Sequence, residues 1–178
     1  MNISKQHIDK CFELETSKLP PHVLAMDGMS GKRTRHFYNN ICSDGGNYLE
    51  IGCWKGSSTC SALYGNSVNA TVIDNWSEFG DKSEEFNKNI EPCIGDNKFN
   101  FINSGSWEVD LNQIPKIDIY LYDGGHSALD QELALTYYKP ILAKKFIYIV
   151  DDWAWKDVQA GTYKALEDFN ILYQREII

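Results

Sequence analysis

The sequence predicts an α/β fold with a mostly parallel central sheet flanked by helices. Short β-branched or aromatic runs alternate with longer stretches of helical periodicity, which is typical of a parallel sheet. The run from Phe146 to Val150 contains no charged residue, as expected of a strand covered on both faces. Acidic or small polar residues follow most of the apolar runs, where open α/β sheets bind their ligands. The 178 residues are the length of one domain, and we expect a single domain over 1–178.

Residues 1–46 are predicted to form an N-terminal helical cap. A first helix over Ser4–Leu19 is stopped by Pro20 and Pro21, because proline cannot continue a helix. A second helix over Ser30–Cys42 ends before Gly45 and Gly46.

Residues 47–178 are predicted to form the α/β core. Six strands are expected, at Asn47–Ile51, Ala70–Asp74, Phe99–Asn103, Ile117–Tyr122, Phe146–Val150 and Ile171–Ile178. Four helices are expected between these strands. The first is capped by the hydroxyl of Ser57 or Ser58, and the second runs over Lys82–Ile90 with a capping box of Asp81 and Glu84. The third runs over Ala128–Leu142, where Pro140 ends or kinks it, and the fourth runs over Val158–Phe169.

Composition excludes several classes of protein. The net charge of −8 argues against a nucleic-acid scaffold, because binding phosphates requires clustered Lys and Arg. No apolar run approaches the roughly 20 residues of a membrane span, and the first residues lack the apolar region of a secretory signal. The five cysteines have no metal-binding spacing, so reduced thiols in the cytoplasm are the simplest interpretation.

The segment from Glu50 to Gly56 places an acid at a strand end and glycines at positions 52 and 56. Glycines let the backbone turn tightly and approach a ligand. The carboxylate of Glu50 would repel a pyrophosphate, so a ligand with a cationic part suits this loop better. The alternative is a glycine turn that only connects a strand to a helix.

Asp74 closes the second strand, about 20 residues beyond the glycine loop, where an acid can accept hydrogen bonds from ribose hydroxyls. It could equally cap the turn that follows. Ser104, Ser106 and Trp107 could border an adenine, although an aromatic residue after a strand more often belongs to the core.

The sharpest signal is Asp123-Gly-Gly-His126 after the fourth strand, with Asp151 and Asp152 after the fifth. If these strands are neighbours, three carboxylates converge, and their repulsion favours a bound cation or protons. Oxygen ligands favour Mg²⁺, Mn²⁺ or Ca²⁺. The alternative is that the acids cap a loop and that His126 begins a helix.

Together these motifs resemble class I S-adenosylmethionine-dependent methyltransferases, and most closely the metal-dependent sugar O-methyltransferase group of macrocin O-methyltransferase. The resemblance covers roughly residues 47–170. It implies a three-layer Rossmann-like sandwich, with Mg²⁺ bound by Asp123, Asp151 and Asp152 and with His126 as the general base. The residues predicted to bind S-adenosylmethionine are Glu50, Gly52, Gly56, Ser57, Asp74, Ser104, Ser106 and Asp123. The segment Gly28–Gly31 resembles the part that such enzymes fold over the cofactor.

The sequence departs from this group in two ways. The family sheet ends in an antiparallel strand for which no segment remains, so Ile171–Ile178 is expected to be an exposed or intermolecularly paired edge and a homo-oligomer is a candidate assembly. The N-terminal part is also short, which leaves the acceptor undefined: a sugar or another small polyhydroxy or aromatic molecule, with Trp153 and Trp155 as a candidate wall. The competing interpretations are a dehydrogenase-type nucleotide-binding protein, a non-catalytic binding module and a catechol-type O-methyltransferase.

Overall fold

A computed structural model describes residues 3–176, and its centre is a five-stranded, all-parallel sheet. In chain order the strands are β1 (Gly46–Ile51), β2 (Val68–Asp74), β3 (Lys98–Asn103), β4 (Ile117–Tyr122) and β5 (Leu142–Val150). They lie in the order β3-β2-β1-β4-β5. The predicted α/β class with a parallel sheet is therefore confirmed.

Helices cover both faces of the sheet and make a three-layer sandwich. The helices are α1 (Lys5–Glu13), α2 (Pro21–Leu24), α3 (Lys32–Ile41), α4 (Ser57–Leu63), α5 (Ser83–Ile94), α6 (Ala128–Thr136) and α7 (Lys156–Leu166). The core on one face contains Phe12, Phe37, Cys60 and Phe86 from α1, α3, α4 and α5. The core on the other face contains Leu135 of α6 and Ala165 of α7.

The carboxyl ends of the three central strands are joined by backbone hydrogen bonds that continue past the ladders. The amide of Gly52 donates to Ile73 over 3.0 Å, and that of Asp123 donates to Ile51 over 2.9 Å. The strands β4 and β5 are neighbours, with Tyr122 paired to Val150. The loops after these strands therefore meet at one edge of the sheet, as predicted.

The first helix is shorter than predicted. It ends at Glu13, and Leu14 takes an extended backbone. The side-chain amide of Asn40 donates to the carbonyls of Leu14 and Thr16, at 3.4 and 3.0 Å. Because α3 supplies these tertiary bonds, the chain after Glu13 needs no further helical turn.

Two predicted helix caps are wrong. The helix α4 is preceded by Gly56 at a φ of +84°, without a side-chain cap, and the Ser58 hydroxyl donates instead to Glu50. The helix α5 has Lys82 at its N-cap, and Asp81 accepts a bond from the amide of Ser83 over 2.9 Å rather than forming a capping box.

The C-terminal part also differs from the prediction. The helix α6 ends at Thr136, and a 3₁₀ turn over Lys139–Ile141 contains Pro140, which has no N–H to continue an α-helix. The strand predicted over 171–178 is wrong for the described residues 171–176, which are irregular, while residues 177 and 178 lie outside the described part. The guanidinium of Arg175 pairs with Asp9 of α1 over 2.9 Å, so this segment packs on a helix.

Among residues 3–176, no helix is both long and apolar enough to cross a membrane. All five cysteines are buried and unpaired by disulfides, consistent with the predicted reduced thiols.

Candidate active site

A cavity of about 310 Å³ lies at the carboxyl edge of the sheet. Residues that follow β1, β2, β3, β4 and β5 all contribute to its wall. The predicted site residues that line it are Gly52, Ser57, Asp74, Ser104, Ser106, Asp123, His126, Asp151 and Asp152. The structure therefore brings most of the predicted site into one space.

Asp74 organises the glycine loop. One of its carboxylate oxygens, Oδ2, accepts bonds from the amides of Cys53 and Trp54 at 2.8 and 2.9 Å. The other, Oδ1, accepts from the amide of Trp76 over 2.7 Å. The capping role that the sequence allowed for Asp74 is thus present.

The loops beside Asp74 hold two bulky residues in the left-handed region. Trp54 has a φ of +44° and Trp76 a φ of +52°, which are strained values for large side chains. The indole of Trp76 donates to the carbonyl of Trp54 over 2.8 Å and stacks on Phe101 at 5.0 Å between ring centroids. Such strain persists only where the surroundings impose it, and it is concentrated at functional sites.

Glu50 lies beneath the cavity and does not line it. Its carboxylate is fully buried and accepts from the hydroxyls of Ser58 and Tyr48, at 2.5 and 2.9 Å. Burial raises the pKa of Glu50 to about 7, although these hydrogen bonds act in the opposite direction. Near neutral pH this carboxyl is therefore divided between its neutral and charged forms.

The raised pKa makes stability depend on pH. The folded chain holds the Glu50 proton up to about pH 7, whereas the unfolded chain releases it near 4.5, so the free energy of unfolding falls between those values. We expect Glu50→Gln to increase that free energy by about 2–3 kcal/mol at pH 8 and by almost nothing at pH 4.5. Urea unfolding at both pH values measures the difference. The exposed Glu91→Gln is the control, and an equal gain at both pH values would contradict the explanation.

Asp123, His126 and Asp152 form the second half of the site. One ligand atom of each lies within 4.8 Å of the others, and His126 Nε2 is 2.7 Å from Asp152 Oδ2. The left-handed φ of +52° at Asp152 turns this carboxylate toward the histidine. Burial and the neighbouring Asp151 raise the pKa of Asp123 to about 9, so the cluster retains a proton unless a cation replaces it.

Asp151 lines the cavity but is not part of this group of three. Its Oδ2 accepts from the hydroxyl of Tyr38 over 3.3 Å, and its Oδ1 accepts from the amide of Asp152 over 2.9 Å. The three aspartates that were predicted to converge all line this cavity, and the tightest group is Asp123, Asp152 and His126. Tyr38 precedes the sheet in the chain, so no local pattern linked it to Asp151.

Three other predicted residues, Gly56, Trp107 and Trp153, do not line the cavity. Gly56 packs against the ring of Phe86, and Trp107 is stacked on Tyr122 in the core, at 6.3 Å between ring centroids. Trp153 packs on Tyr163, whereas Trp155 lines the cavity and lies 4.9 Å from the imidazole of His126.

Sequence reasoning missed one residue of the rim, Phe79. Met29, Phe79 and Trp155 line the cavity and are 72%, 53% and 55% exposed. Exposed apolar side chains around a cavity mark a ligand-binding surface. Phe79 follows no strand directly, and only its apolar character within a polar stretch could have identified it.

Comparisons with known proteins agree with this fold. A family model described as a methyltransferase domain matches residues 49–153. The structure of the Podospora anserina methyltransferase PaMTH1, solved with S-adenosylhomocysteine, has a TM-score of 0.58 at 12% identity and covers 94% of this chain and 86% of its own. A Klebsiella pneumoniae protein assigned as an O-methyltransferase has a TM-score of 0.56 at 12% identity, with 92% and 77% covered. No curated protein sequence matches.

At this level of identity the two structures establish a shared fold, and the family match, which spans more than half of the chain, establishes the relationship. The chain therefore belongs to the methyltransferase domain family, which confirms the prediction of a methyltransferase.

Proposed function

We propose that this chain transfers a methyl group from S-adenosylmethionine to a hydroxyl of a small acceptor, assisted by a divalent cation. One observation carries the proposal: the Asp123, His126 and Asp152 cluster opens into the same cavity as the glycine loop and Asp74. A base or cation site beside a cofactor loop is the arrangement that methylation of a hydroxyl needs.

We assign the cofactor to the wall formed by Gly52, Ser57, Asp74, Ser104 and Ser106. A carboxylate has about four acceptor positions, and the three backbone amides leave one free on Asp74 Oδ1 for a ribose hydroxyl. Glu50, which is partly charged near neutral pH, contributes negative potential, which suits a sulfonium and disfavours the pyrophosphate of a dinucleotide. Glu50 acts in this proposal from beneath the cavity, through Ser58.

The cofactor supplies an electrophilic methyl group when it is bound. His126 is the group assigned to take the proton from the acceptor hydroxyl, since its imidazole lines the cavity. Asp152 Oδ2 lies 2.7 Å from Nε2, and the ring of Trp155 lies 4.9 Å from the imidazole at a tilt of 42°, so both neighbours restrict the orientation of the imidazole. Alignment of the hydroxyl with the methyl group then supplies much of the rate.

The same cluster fits a divalent cation. Two carboxylates and an imidazole with ligand atoms within 4.8 Å of one another match the donor types and the spacing of a Mg²⁺ or Mn²⁺ site. Asp123 and Asp152 would hold the ion, with Asp151 beside it, while the imidazole of His126 keeps its lone pair for the proton, and the ion would lower the pKa of the acceptor hydroxyl. Ca²⁺ is the third candidate for this oxygen-rich site.

The rim of Met29, Phe79 and Trp155 supports an acceptor with an apolar face, such as a sugar ring or an aromatic ring. A catechol-type enzyme typically places a lysine near its metal, whereas Lys55, which follows the glycine loop, is paired with Asp27 over 2.6 Å. This pairing favours the sugar group. Homo-oligomerisation and a cytoplasmic location stay predictions from the sequence.

The metal requirement is tested by methyl transfer from labelled S-adenosylmethionine to a panel of sugars, polyols and phenols. We expect turnover of at least one hydroxyl acceptor with Mg²⁺ or Mn²⁺, and a loss of about 10-fold or more when EDTA is added. The variant Asp123→Asn should lower the affinity for Mn²⁺, which a titration calorimeter measures without turnover. Full activity in EDTA would remove the cation from the mechanism.

A further inference from the structure

A short segment before α3, Ala25–Ser30, lies against the glycine loop and the start of α4, and we call it the strap. Its residues Met29 and Ser30 line the cavity together with Gly52 and Trp54. The amides of Ala25 and Met26 donate to the carbonyls of Pro21 and Val23 in α2, whereas residues 27–30 contain no regular helix or strand. Contacts with other parts of the fold must therefore hold these residues in place.

The buried side chain of Arg35 supplies the inner support. Arg35 is 3% exposed, and no ion pair to it is found within residues 3–176. Its Nε donates to the carbonyl and hydroxyl of Ser30, at 3.1 and 3.2 Å. Its Nη1 donates to the carbonyls of Val23, Leu24 and Met26, at 3.3, 3.2 and 2.7 Å. The guanidinium of Arg35 thus donates hydrogen bonds to oxygens at both ends of the strap and fixes the shape of its backbone.

An ion pair supplies the outer support. Lys55 Nζ, from the glycine loop, lies 2.6 Å from Asp27 Oδ2 at the middle of the strap. The lysine is 18% exposed and the aspartate 74%, so water reaches one side of the pair. Lys55 also lies over the ring of Trp54 at 4.4 Å, and its carbonyl accepts from Asn89. The lysine therefore belongs to the glycine loop and the aspartate to the strap, so the ion pair joins the two segments.

The strap packs closely against the start of α4 at Gly28. A Cβ at Gly28 would lie 2.0 Å from Ser57 Oγ and 3.0 Å from Arg35 Nη2. The strap therefore covers the first residue of α4, which the proposed function places in the cofactor wall.

We infer that Arg35 and the Lys55–Asp27 pair are positioning residues that hold the strap closed over the bound cofactor and so set how slowly it dissociates. This inference rests on the proposed function. Arg35 keeps the strap in one shape by buried bonds that are costly to break. The half-exposed ion pair is the weaker contact, so it opens when the cofactor enters or leaves.

The test measures binding and dissociation of S-adenosylhomocysteine by calorimetry and stopped-flow fluorescence. For Asp27→Asn we expect the dissociation rate to rise about three- to fivefold, with little change in the association rate or in the melting temperature of the free protein. The matched control is Asp168→Asn, which removes the same charge from the exposed Lys139–Asp168 pair outside the cavity wall and should leave both rates unchanged.

Salt gives a readout that a purely structural role would not move. Raising the ionic strength to about 1 M screens the half-exposed pair, so the dissociation rates of the wild type and of Asp27→Asn should converge. Arg35→Met should weaken the binding of S-adenosylhomocysteine more than Asp27→Asn does. Arg35→Lys should recover part of this loss, since the lysine ammonium can make some of the hydrogen bonds that the guanidinium makes. If Arg35→Met does not fold, the dissociation rates of Asp27→Asn and the wild type still test the role of the strap.

Equal dissociation rates for Asp27→Asn and the wild type at low salt would overturn the inference and leave the proposed function intact. If the wild type binds no S-adenosylhomocysteine, the proposed function fails, and the role of the strap fails with it.

Discussion

Replacing His126 by Ala should lower kcat for methyl transfer by about 10²–10⁴-fold, the usual contribution of a general base. The affinity for S-adenosylhomocysteine should stay within about threefold of the wild type, because Gly52, Ser57 and Asp74 are untouched. Among residues 3–176, His126 is the only histidine that lines the cavity. Initial rates at saturating cofactor measure kcat, and calorimetry measures the affinity.

Two further variants make the result specific. His22 is exposed and does not line the cavity, so the variant His22→Ala should retain full activity. His126→Gln keeps a possible ligand atom but cannot act as a base at neutral pH, so an unchanged Mn²⁺ affinity with lost turnover indicates the base. Lost Mn²⁺ affinity indicates a metal ligand. A kcat for His126→Ala within threefold of the wild type would rule out both roles.

Gly52→Ala should damage both the fold and the site. Gly52 has a φ of +82°, and a Cβ there would lie 1.9 Å from the carbonyl oxygen of Asp123. This neighbour is backbone at the end of β4, so it cannot rotate away as a side chain could. We expect the free energy of unfolding to fall by about 3 kcal/mol or more, because left-handed strain and overpacking act together. Guanidinium unfolding measures the loss.

The control for this change is Gly31→Ala, where φ is negative and no atom lies within 4 Å of the added Cβ. That variant should stay within about 0.5 kcal/mol of the wild type. If Gly52→Ala were as stable as Gly31→Ala, the ends of β1 and β4 would not approach each other as described.

The sheet could be predicted because its signals are local. Each strand is a short apolar or aromatic run, and a parallel sheet gathers the residues after its strands at one edge. That rule placed Gly52, Asp74, Asp123 and His126 in one space without any knowledge of strand order.

The details that failed depend on tertiary contacts. The predicted helix beyond Glu13 gives way to bonds from Asn40, and the strand predicted after Ile171 gives way to packing of Arg175 on Asp9 and Phe12. Neither partner is close in sequence, so periodicity alone could not identify them.

In the candidate site, too, the sequence predicted which residues gather but not the contacts that orient them. The sequence placed Asp151 with the other acids because two adjacent aspartates follow β5, and in the structure both line the cavity with Asp123. Tyr38 and the left-handed backbone of Asp152 decide which of the two carboxylates joins His126. The resemblance marked Gly28–Gly31 as a segment that folds over the cofactor, but the bonds that hold the strap were not predicted, because in the sequence Arg35 is one more charge on a polar helix.

The central claim is that the cavity at the carboxyl edge of the sheet holds S-adenosylmethionine through Gly52 and Asp74. The most direct test is calorimetric titration of the protein with S-adenosylhomocysteine and, separately, with NADH, each with Mg²⁺ and with EDTA. We predict saturable one-to-one binding of S-adenosylhomocysteine that Asp74→Ala weakens at least about 10-fold, and no binding of NADH. Binding of NADH without binding of S-adenosylhomocysteine would contradict the account.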